Sequence, residues 1–216
     1  MNEEYKGQKW LLHQCCGPCS LWPLDTLCHA GVDVTLLFFN PNIHPNMEWR
    51  RRMENASKAA AYYEVPLIVN PLCVPSAWRE RANDGAERCR FCYRVRLEHL
   101  AEAAKRLGIK YVSTTLLVSP WQNRDVLIEE GKRACEPYSI EFVPCDWRNG
   151  YRRGQQLAKE IGLYRQKYCG CILSLESSDF YEKIAREHDT LVFQDTLARC
   201  DRLRLVSEGV FDEAVV

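Results

Sequence analysis

Apolar runs and amphipathic helical segments alternate along roughly the first two thirds of the chain. Runs rich in apolar and β-branched residues predict five strands, over 9–13, 34–39, 67–69, 111–115 and 140–143. A helical period between these runs predicts helices over 20–30, 47–63, 90–107 and 124–135. This alternation is typical of a parallel sheet covered by helices, so we predict an α/β fold, a three-layer Rossmann-like sheet with helices on both faces.

The strand signals end near residue 150, where the pattern becomes helical. Residues 155–161 and 174–188 favour helices, and no pattern assigns the remaining tail. The chain has no internal repeat and no linker-like composition. We therefore predict a single domain over 1–216, with a sheet core at about 9–145 and a helical C-terminal region at about 150–216 packed on it.

Composition narrows the class of protein. The 216 residues are 46% hydrophobic, with 29 basic residues against 29 acidic ones and 12 cysteines. Since no apolar run could span a bilayer and no secretory leader is recognisable, we expect a cytoplasmic protein without a membrane partner. The zero net charge argues against general nucleic-acid binding, and we expect no DNA partner. In a reducing compartment, so many cysteines favour metal or redox chemistry over a disulfide scaffold.

Open parallel sheets bind ligands beyond the carboxyl ends of their strands. That rule points to the loops 14–19, 40–45 and 116–122, each of which follows a predicted strand. The first of these turns carries neither GxGxxG nor a glycine-rich phosphate loop with a lysine. Cysteines occupy this turn instead, so we expect thiol chemistry at this edge of the sheet.

Two groups of cysteines lie at predicted helix starts. Cys15, Cys16 and Cys19 lie at the first strand-to-helix turn, where the helix dipole and unpaired N–H groups favour thiolates. Cys89 and Cys92 are one helical turn apart, so both sulfurs lie on the same face. These sulfurs are candidate metal ligands or nucleophiles.

A third group is Cys169-Gly170-Cys171, in which the flexible glycine lets two sulfurs approach each other. We predict a reversible dithiol there. If the fold joins the pair Cys15–Cys16 to the pair Cys89–Cys92, four thiolates are available for a 4Fe-4S cluster or a tetrahedral zinc. Zinc ligands are usually spaced by two to four residues, so the adjacent cysteines favour iron and sulfur. Spacing alone leaves both open.

Five motifs occur in order between about residues 9 and 175. They are LLHQCCGPC (11–19), FNPNIHP (39–45), ERCRFCYRVRLE (87–98), STTLLVSPWQN (113–123) and GLYRQKYCGCILS (162–174). Together they resemble the cobalamin-independent epoxyqueuosine reductases, the QueH family. The resemblance implies two-electron reductive removal of the epoxide oxygen from epoxyqueuosine at the wobble position of tRNA, which gives queuosine. It also implies an adenine nucleotide alpha hydrolase-like (HUP) sheet, whose ATP loop is replaced here by cysteines.

The same resemblance implies roles for the cysteines. The residues that fall on the family's 4Fe-4S ligands are Cys15, Cys16, Cys89 and Cys92. Those that fall on its redox-active pair are Cys169 and Cys171. Cys19 is a candidate ligand for an additional iron ion. An external electron donor would reduce the site again after each reaction.

Candidate substrate-binding residues lie in or beside the same motifs. They are Asn42, His44, Trp121, Arg165 and Tyr168. His44 and Tyr168 are candidate proton donors, although His44 is equally well explained as a loop histidine bonded to backbone. Trp121 offers a stacking surface for a base, and arginines around 50–52, 88–96 and 165 offer contacts to phosphates of the tRNA partner.

Two other classes of protein remain open. One is a zinc protein that binds RNA, in which the four cysteines Cys15, Cys16, Cys89 and Cys92 form a structural zinc site. The other is a sulfur-transfer enzyme acting on tRNA, because adjacent cysteines can carry a persulfide. The missing ATP loop weakens this last alternative, since thiolation normally needs an activated oxygen leaving group.

Overall fold

The centre of the structure, a computed structural model that describes residues 3–187 and 214–215, is a mostly parallel sheet. Its strands are β1 (Lys9–His13), β2 (Asp33–Phe39), β3 (Leu67–Asn70), β4 (Tyr111–Thr114), β5 (Glu141–Phe142) and β6 (Ala214–Val215). They lie in the order β5-β4-β1-β2-β3-β6, in which β1 to β5 are parallel and β6 is antiparallel to β3. The five predicted strands are confirmed, each within one residue of its expected bounds.

Helices cover this sheet. Within the described residues they are α1 (Gly17–His29), α2 (Asn46–Tyr62), α3 (Pro75–Arg79), α4 (Ala86–Leu107), α5 (Arg124–Cys135), α6 (Tyr151–Glu160), α7 (Ile172–Glu176) and α8 (Tyr181–Glu187). Short 3₁₀ turns cover Glu3–Tyr5, Thr115–Val118, Glu136–Tyr138 and Arg148–Gly150. None of these helices combines the length and the apolar character that a membrane span requires.

The α/β fold predicted from the alternating pattern is confirmed. Helix α1 packs against α2 and α6, while α4 packs against α5. The order β3-β2-β1-β4-β5 is the one found in doubly wound Rossmann sheets. The closer assignment to a three-layer Rossmann-like, adenine nucleotide alpha hydrolase-like (HUP) sheet stays a prediction.

Strand β1 lies in the middle of the sheet and is buried on both faces. Leu12 pairs with Leu36 on β2 and with Ser113 on β4. Trp10, Leu11 and Leu12 are all fully buried, and each such side chain contributes about 2 kcal/mol through the hydrophobic effect. Because β1, β2 and β4 run in parallel, the loops that follow them meet at one edge of the sheet.

Helix α1 begins at Gly17, three residues before the predicted start. Pro18 belongs to its first turn, where the missing N–H of proline removes no hydrogen bond. Gly17 also permits a close approach to α2, because a Cβ atom at this position would lie 2.4 Å from the carbonyl oxygen of Asn55. The predicted loop 14–19 is therefore partly helical.

The helix predicted over 174–188 is wrong as a single element, because α7 ends at Glu176 and four residues separate it from the start of α8 at Tyr181. Between them, the hydroxyl of Ser177 donates to the carbonyl of Leu173 at 2.9 Å and that of Ser178 to Leu175 at 2.8 Å. Such bonds compete with the helical backbone pattern. The predicted helical region from residue 188 to 213 lies outside the described residues.

Gly17→Ala should destabilise the protein, because its new Cβ would clash with backbone of α2. We expect the free energy of unfolding, measured by urea denaturation, to fall by about 3 kcal/mol. Gly154→Ala on α6 is the matched control, since its Cβ would meet the Cβ of Trp22 at an ordinary 3.4 Å. The control should change stability by no more than about 1 kcal/mol. Equal losses in the two variants would contradict the close approach of α1 and α2.

Candidate active site

A cavity of about 290 Å³ opens at the carboxyl ends of the parallel strands. The loops 14–19, 40–45 and 116–122 all contribute to its wall, as the strand-end rule predicts. The residues that line it are Cys15, Cys16, Cys19, Asn40, Asn42, Ile43, Arg52, Arg96, Leu116, Ser119, Trp121, Gln122, Tyr151, Gln166, Lys167, Tyr168 and Cys169. Thiols, amides and two arginines thus face one small space.

Three cysteine sulfurs meet in the wall of this cavity. The Sγ atoms of Cys15, Cys16 and Cys19 all lie within 4.8 Å of one another. Cys16 is the extended residue before α1, and Cys19 lies in the first turn of that helix, so the chain folds back and brings the sulfurs together. Thr115 fixes Cys15, because its Oγ1 accepts from the Cys15 N–H at 3.0 Å and donates to the Cys15 sulfur at 3.2 Å.

The three thiols differ in acidity. Hydrogen bonds from Cys16 and Cys19 lower the pKa of the Cys15 thiol well below its usual value. Burial raises the pKa of Cys16, and the hydrogen bond to Cys15 is the largest cause that raises the pKa of Cys19. Cys15 is therefore the most acidic thiol of the group, because its two neighbours donate hydrogen bonds that favour its charged form. A soft metal ion that displaced the remaining protons would find three sulfur ligands, so the donor set fits a thiolate-bound metal.

The second predicted ligand pair lies on α4. This helix begins four residues earlier than predicted, so Cys89 and Cys92 both lie within its first two turns. Cys89 is exposed, whereas Cys92 is buried in an apolar cluster with Trp78 and Cys171. Burial raises the pKa of Cys92 to about 12 although the nearby Arg96 opposes this rise. Neither residue belongs to the group formed by the first three sulfurs, so a single centre shared by both pairs stays a prediction.

Backbone hydrogen bonds hold the segment Cys169-Gly170-Cys171. Arg52 donates from Nη1 to the carbonyl of Cys169 at 2.9 Å and from Nη2 to that of Tyr168 at 3.0 Å. The N–H of His44 donates to the carbonyl of Gly170 at 2.8 Å. Gly170 has a φ of +138°, and a Cβ there would lie 3.1 Å from Nη1 of Arg52. Glycine is therefore needed at this position for both conformation and space.

Arg52 is fixed in turn by a buried carboxylate. Its Nε lies 2.7 Å from Oε1 of Glu48, one turn earlier on α2, and both side chains are almost completely buried. The hydroxyl of Tyr164 donates to Oε2 of Glu48 at 3.0 Å. This ion pair therefore ties α2 to the segment that carries Cys169.

His44 is fully buried, and backbone groups satisfy both ring nitrogens. Its Nδ1 accepts from the N–H of Ile172 at 2.9 Å, so the ring proton is on Nε2, which donates to the carbonyl of Pro41 at 3.0 Å. The hydroxyl of Tyr168 donates to the carbonyl of His44. These contacts are those of a residue that positions the 40–45 loop against residues 168–172.

The other predicted substrate-binding residues have different surroundings. Trp121 is 83% exposed at the rim of the cavity. Asn42 is buried in the cavity wall, and its Oδ1 has no hydrogen-bond partner among the described residues. Arg165 is exposed outside the cavity lining and donates from Nε to Oε1 of Gln155 at 3.1 Å.

Sequence reasoning did not single out several residues of the cavity wall. Arg52 and Arg96 appeared in it only as members of surface clusters that contact phosphate, yet both are buried here. One signal was available for Arg52, because Glu48 precedes it by one helical turn, the spacing of an ion pair. No comparable signal indicates Asn40, whose amide donates to the carbonyl of Gln14 at 2.9 Å inside the wall.

Fold and site together define an α/β protein with a thiol-lined cavity, suited to metal or redox chemistry on a ligand held at the sheet edge. Residues 10–177 match the family described as Epoxyqueuosine reductase QueH. The chain therefore belongs to the epoxyqueuosine reductase QueH family. This confirms the resemblance predicted from the five motifs.

Individual relatives with that name cover most of the chain. The epoxyqueuosine reductase QueH of Acinetobacter baylyi is 35% identical over 183 residues, which cover 80% of this chain and 83% of the relative. That of Thermotoga maritima is 34% identical over 188 residues, covering 82% and 96% respectively. That of Streptococcus pyogenes is 32% identical over 175 residues, covering 75% and 68%. These relatives are named as oxidoreductases.

Cys169 should be alkylated much faster than Cys171 in the reduced, metal-free protein. Cys169 is exposed, whereas Cys171 is buried and its burial raises the pKa of its thiol. We expect iodoacetamide at about pH 7 to modify Cys169 at least about tenfold faster, measured by mass spectrometry of the peptides. Buried Cys135 is the internal control and should react as slowly as Cys171. Equal rates at Cys169 and Cys171 would contradict the described environments.

Arg52→Met should strongly destabilise the protein, because it leaves the buried carboxylate of Glu48 without its partner. We expect a loss of about 4 kcal/mol in the free energy of unfolding, and recovery of about half of it in Glu48→Gln/Arg52→Met. Arg51→Met is the matched control, because Arg51 forms a partly exposed pair with Glu187 at 3.4 Å and lies 4.8 Å from the ring centre of Tyr164 without pairing with a buried carboxylate among the described residues. Its cost should stay below about 1 kcal/mol. A double variant as unstable as Arg52→Met would contradict the coupling.

Proposed function

We propose that this protein is an epoxyqueuosine reductase that acts on tRNA. The overall reaction takes an epoxide, two electrons and two protons to an alkene and one water, which converts epoxyqueuosine to queuosine at the wobble position. Membership of the family and the cavity that gathers thiols at the sheet edge support this function. The single observation that carries the chemistry is the close approach of Cys15, Cys16 and Cys19.

An iron–sulfur centre is the cofactor that we propose for this cavity. The ligands of a 4Fe-4S cluster would be Cys15, Cys16, Cys89 and Cys92, and Cys19 would be available to an additional iron ion. When bound, such a centre supplies electrons one at a time and a Lewis acid for the departing oxygen. The depressed pKa of Cys15 supports this assignment, because metals bind the thiolate form.

Cys169 and Cys171 are the proposed store for the two electrons. Two thiols become one disulfide with release of two electrons and two protons, which balances the needs of the epoxide reduction. An external electron donor would reduce the disulfide again. The exposure of Cys169 at the cavity supports this role, since it lies where both a substrate and a donor have access.

The substrate would enter the cavity with its modified base first. Trp121, exposed at the rim, is suited to stack on a base that stays outside. Asn42 offers a buried carbonyl oxygen that has no partner among the described residues, which suits a hydroxyl or amino donor of the nucleoside. We propose that Arg165, exposed beside the same face, contacts a tRNA phosphate.

His44 and Tyr168 would serve the reaction through positioning. Both ring nitrogens of His44 are bonded to backbone, and the hydroxyl of Tyr168 is bonded to the His44 carbonyl. Burial is the main cause that raises the pKa of Tyr168 far above its usual value, so its hydroxyl stays protonated. We propose that these two residues hold the redox cysteines in place. Water bound in the cavity would then be the proton donor.

The test is to incubate the anaerobically reconstituted protein and a reductant with tRNA that carries epoxyqueuosine. Nucleoside mass analysis should show the loss of one oxygen. Cys92→Ala should abolish cluster assembly, followed by visible absorbance and iron content, because it removes a ligand. Cys171→Ser should keep the absorbance and stop sustained turnover, because it removes half of the dithiol.

Identical behaviour of the Cys92 and Cys171 variants would contradict this division of roles. Cys28→Ser is the control, because Cys28 lies at the far end of α1 and is only half-buried. It should keep both cluster and turnover. The compact group of three thiols also suits zinc, so a colourless protein with one tightly held zinc and no reductase activity would favour the RNA-binding alternative.

A further inference from the structure

Two arginines are buried in the wall of the same cavity, and they differ in how their charge is balanced. Arg52 and Arg96 are each 3% exposed. The guanidinium of Arg52 lies 2.7 Å from the carboxylate of Glu48. Arg96 forms no ion pair with a carboxylate among the residues that the structure describes. One buried positive charge is thus neutralised, and the other faces the cavity with no acidic partner in the described part of the chain.

The guanidinium of Arg96 contacts a cysteine sulfur. Its Nη2 donates to the sulfur of Cys92 at 3.2 Å, and its Nε donates to the carbonyl of the same residue at 2.9 Å. Cys15 and Cys169 line the same cavity as Arg96. This cation therefore has a direct sulfur contact at Cys92 and shares its cavity with cysteines of the other two groups.

A buried guanidinium is costly unless an anion lies beside it, and arginine cannot shed its proton in a protein. The anion must therefore be in the cavity or in its wall. A four-thiolate iron–sulfur centre carries net negative charge and gains one more negative charge on each one-electron reduction. A fixed positive charge at hydrogen-bond distance from a ligand sulfur stabilises the reduced form more than the oxidised form.

We propose that Arg96 is a positioning residue that supplies the countercharge of the metal centre in this cavity and raises the reduction potential of that centre. This inference rests on the proposed function, since it requires a cysteine-bound iron centre. It adds a residue other than the cysteines to the machinery of electron transfer. It also gives the Cys92 sulfur a second role, as the contact through which the guanidinium acts.

The experiment compares the reconstituted full-length protein with Arg96→Gln, Arg96→Lys and Lys105→Gln. Iron and sulfide content and circular dichroism establish that each variant is loaded and folded. A dithionite titration with redox dyes, followed by electron paramagnetic resonance of the reduced centre, then gives the midpoint potential. Lys105→Gln is the matched control, because Lys105 is an exposed cation near the far end of α4, against the ring of Tyr138.

Arg96→Gln should lower the equilibrium constant for one-electron reduction about tenfold, which is about 59 mV toward more negative potential. Arg96→Lys should retain most of the wild-type potential, because it keeps the charge, and Lys105→Gln should retain all of it. If Arg96→Gln loses its iron while folded and Arg96→Lys keeps it, the role of Arg96 as the countercharge of the metal centre is also confirmed.

Three results would overturn the inference. The first is a loaded Arg96→Gln protein with the wild-type potential. The second is the same unchanged potential with a raised KM for tRNA, which would assign Arg96 to a phosphate of the substrate. The third is loss of iron from both folded Arg96 variants, which would show that the shape of the arginine side chain, and not its charge, retains the iron. A wild-type protein that assembles no iron–sulfur centre would instead refute the proposed function, and with it this inference, before any variant is compared.

Discussion

The parallel alignment of β1 with β2 and β4 is the constraint on which the site depends. Leu12 is paired on both sides, so β1 can neither slip by one residue nor reverse without turning its buried side chains to the wrong face. The loops 14–19, 40–45 and 116–122 end at one edge only because these three strands share a direction. Thr115 beside Cys15 is a direct consequence, a contact between residues 100 positions apart in the chain.

Cys169 and Cys171 lie on a segment with no strand or long helix of its own. Their position depends on Arg52, which comes from α2 and contacts a carbonyl 117 positions away. A long buried arginine can fix a loop in this way only if its own charge is neutralised, and Glu48 does so from the same helix. The buried ion pair therefore costs desolvation energy, and it holds Cys169 in a defined position.

The sheet and the position of the site at its edge could be predicted from the sequence. The geometry inside the site could not. Strands such as β2 were predictable because a short, continuous apolar run between turn residues is typical of a buried strand. The start of α1 was not, because Cys-Gly-Pro has the composition of a loop, and the close packing of Gly17 on Asn55 that favours the helix is a tertiary contact. The break between α7 and α8 depends likewise on which carbonyls the serine hydroxyls reach.

The same reasoning applies to charge. The sequence analysis grouped Arg52 and Arg96 with Arg51 as candidate phosphate contacts, and Arg51 lies partly exposed beside Glu187. Burial separates them, because a buried cation must have an anionic partner whereas an exposed one has water. For Arg52 that partner is a carboxylate on the same helix. Arg96 instead donates to the Cys92 sulfur and faces the cavity that Cys15 and Cys169 line. Its charge therefore lies beside Cys92, and substituting either of these two residues changes the environment of the other.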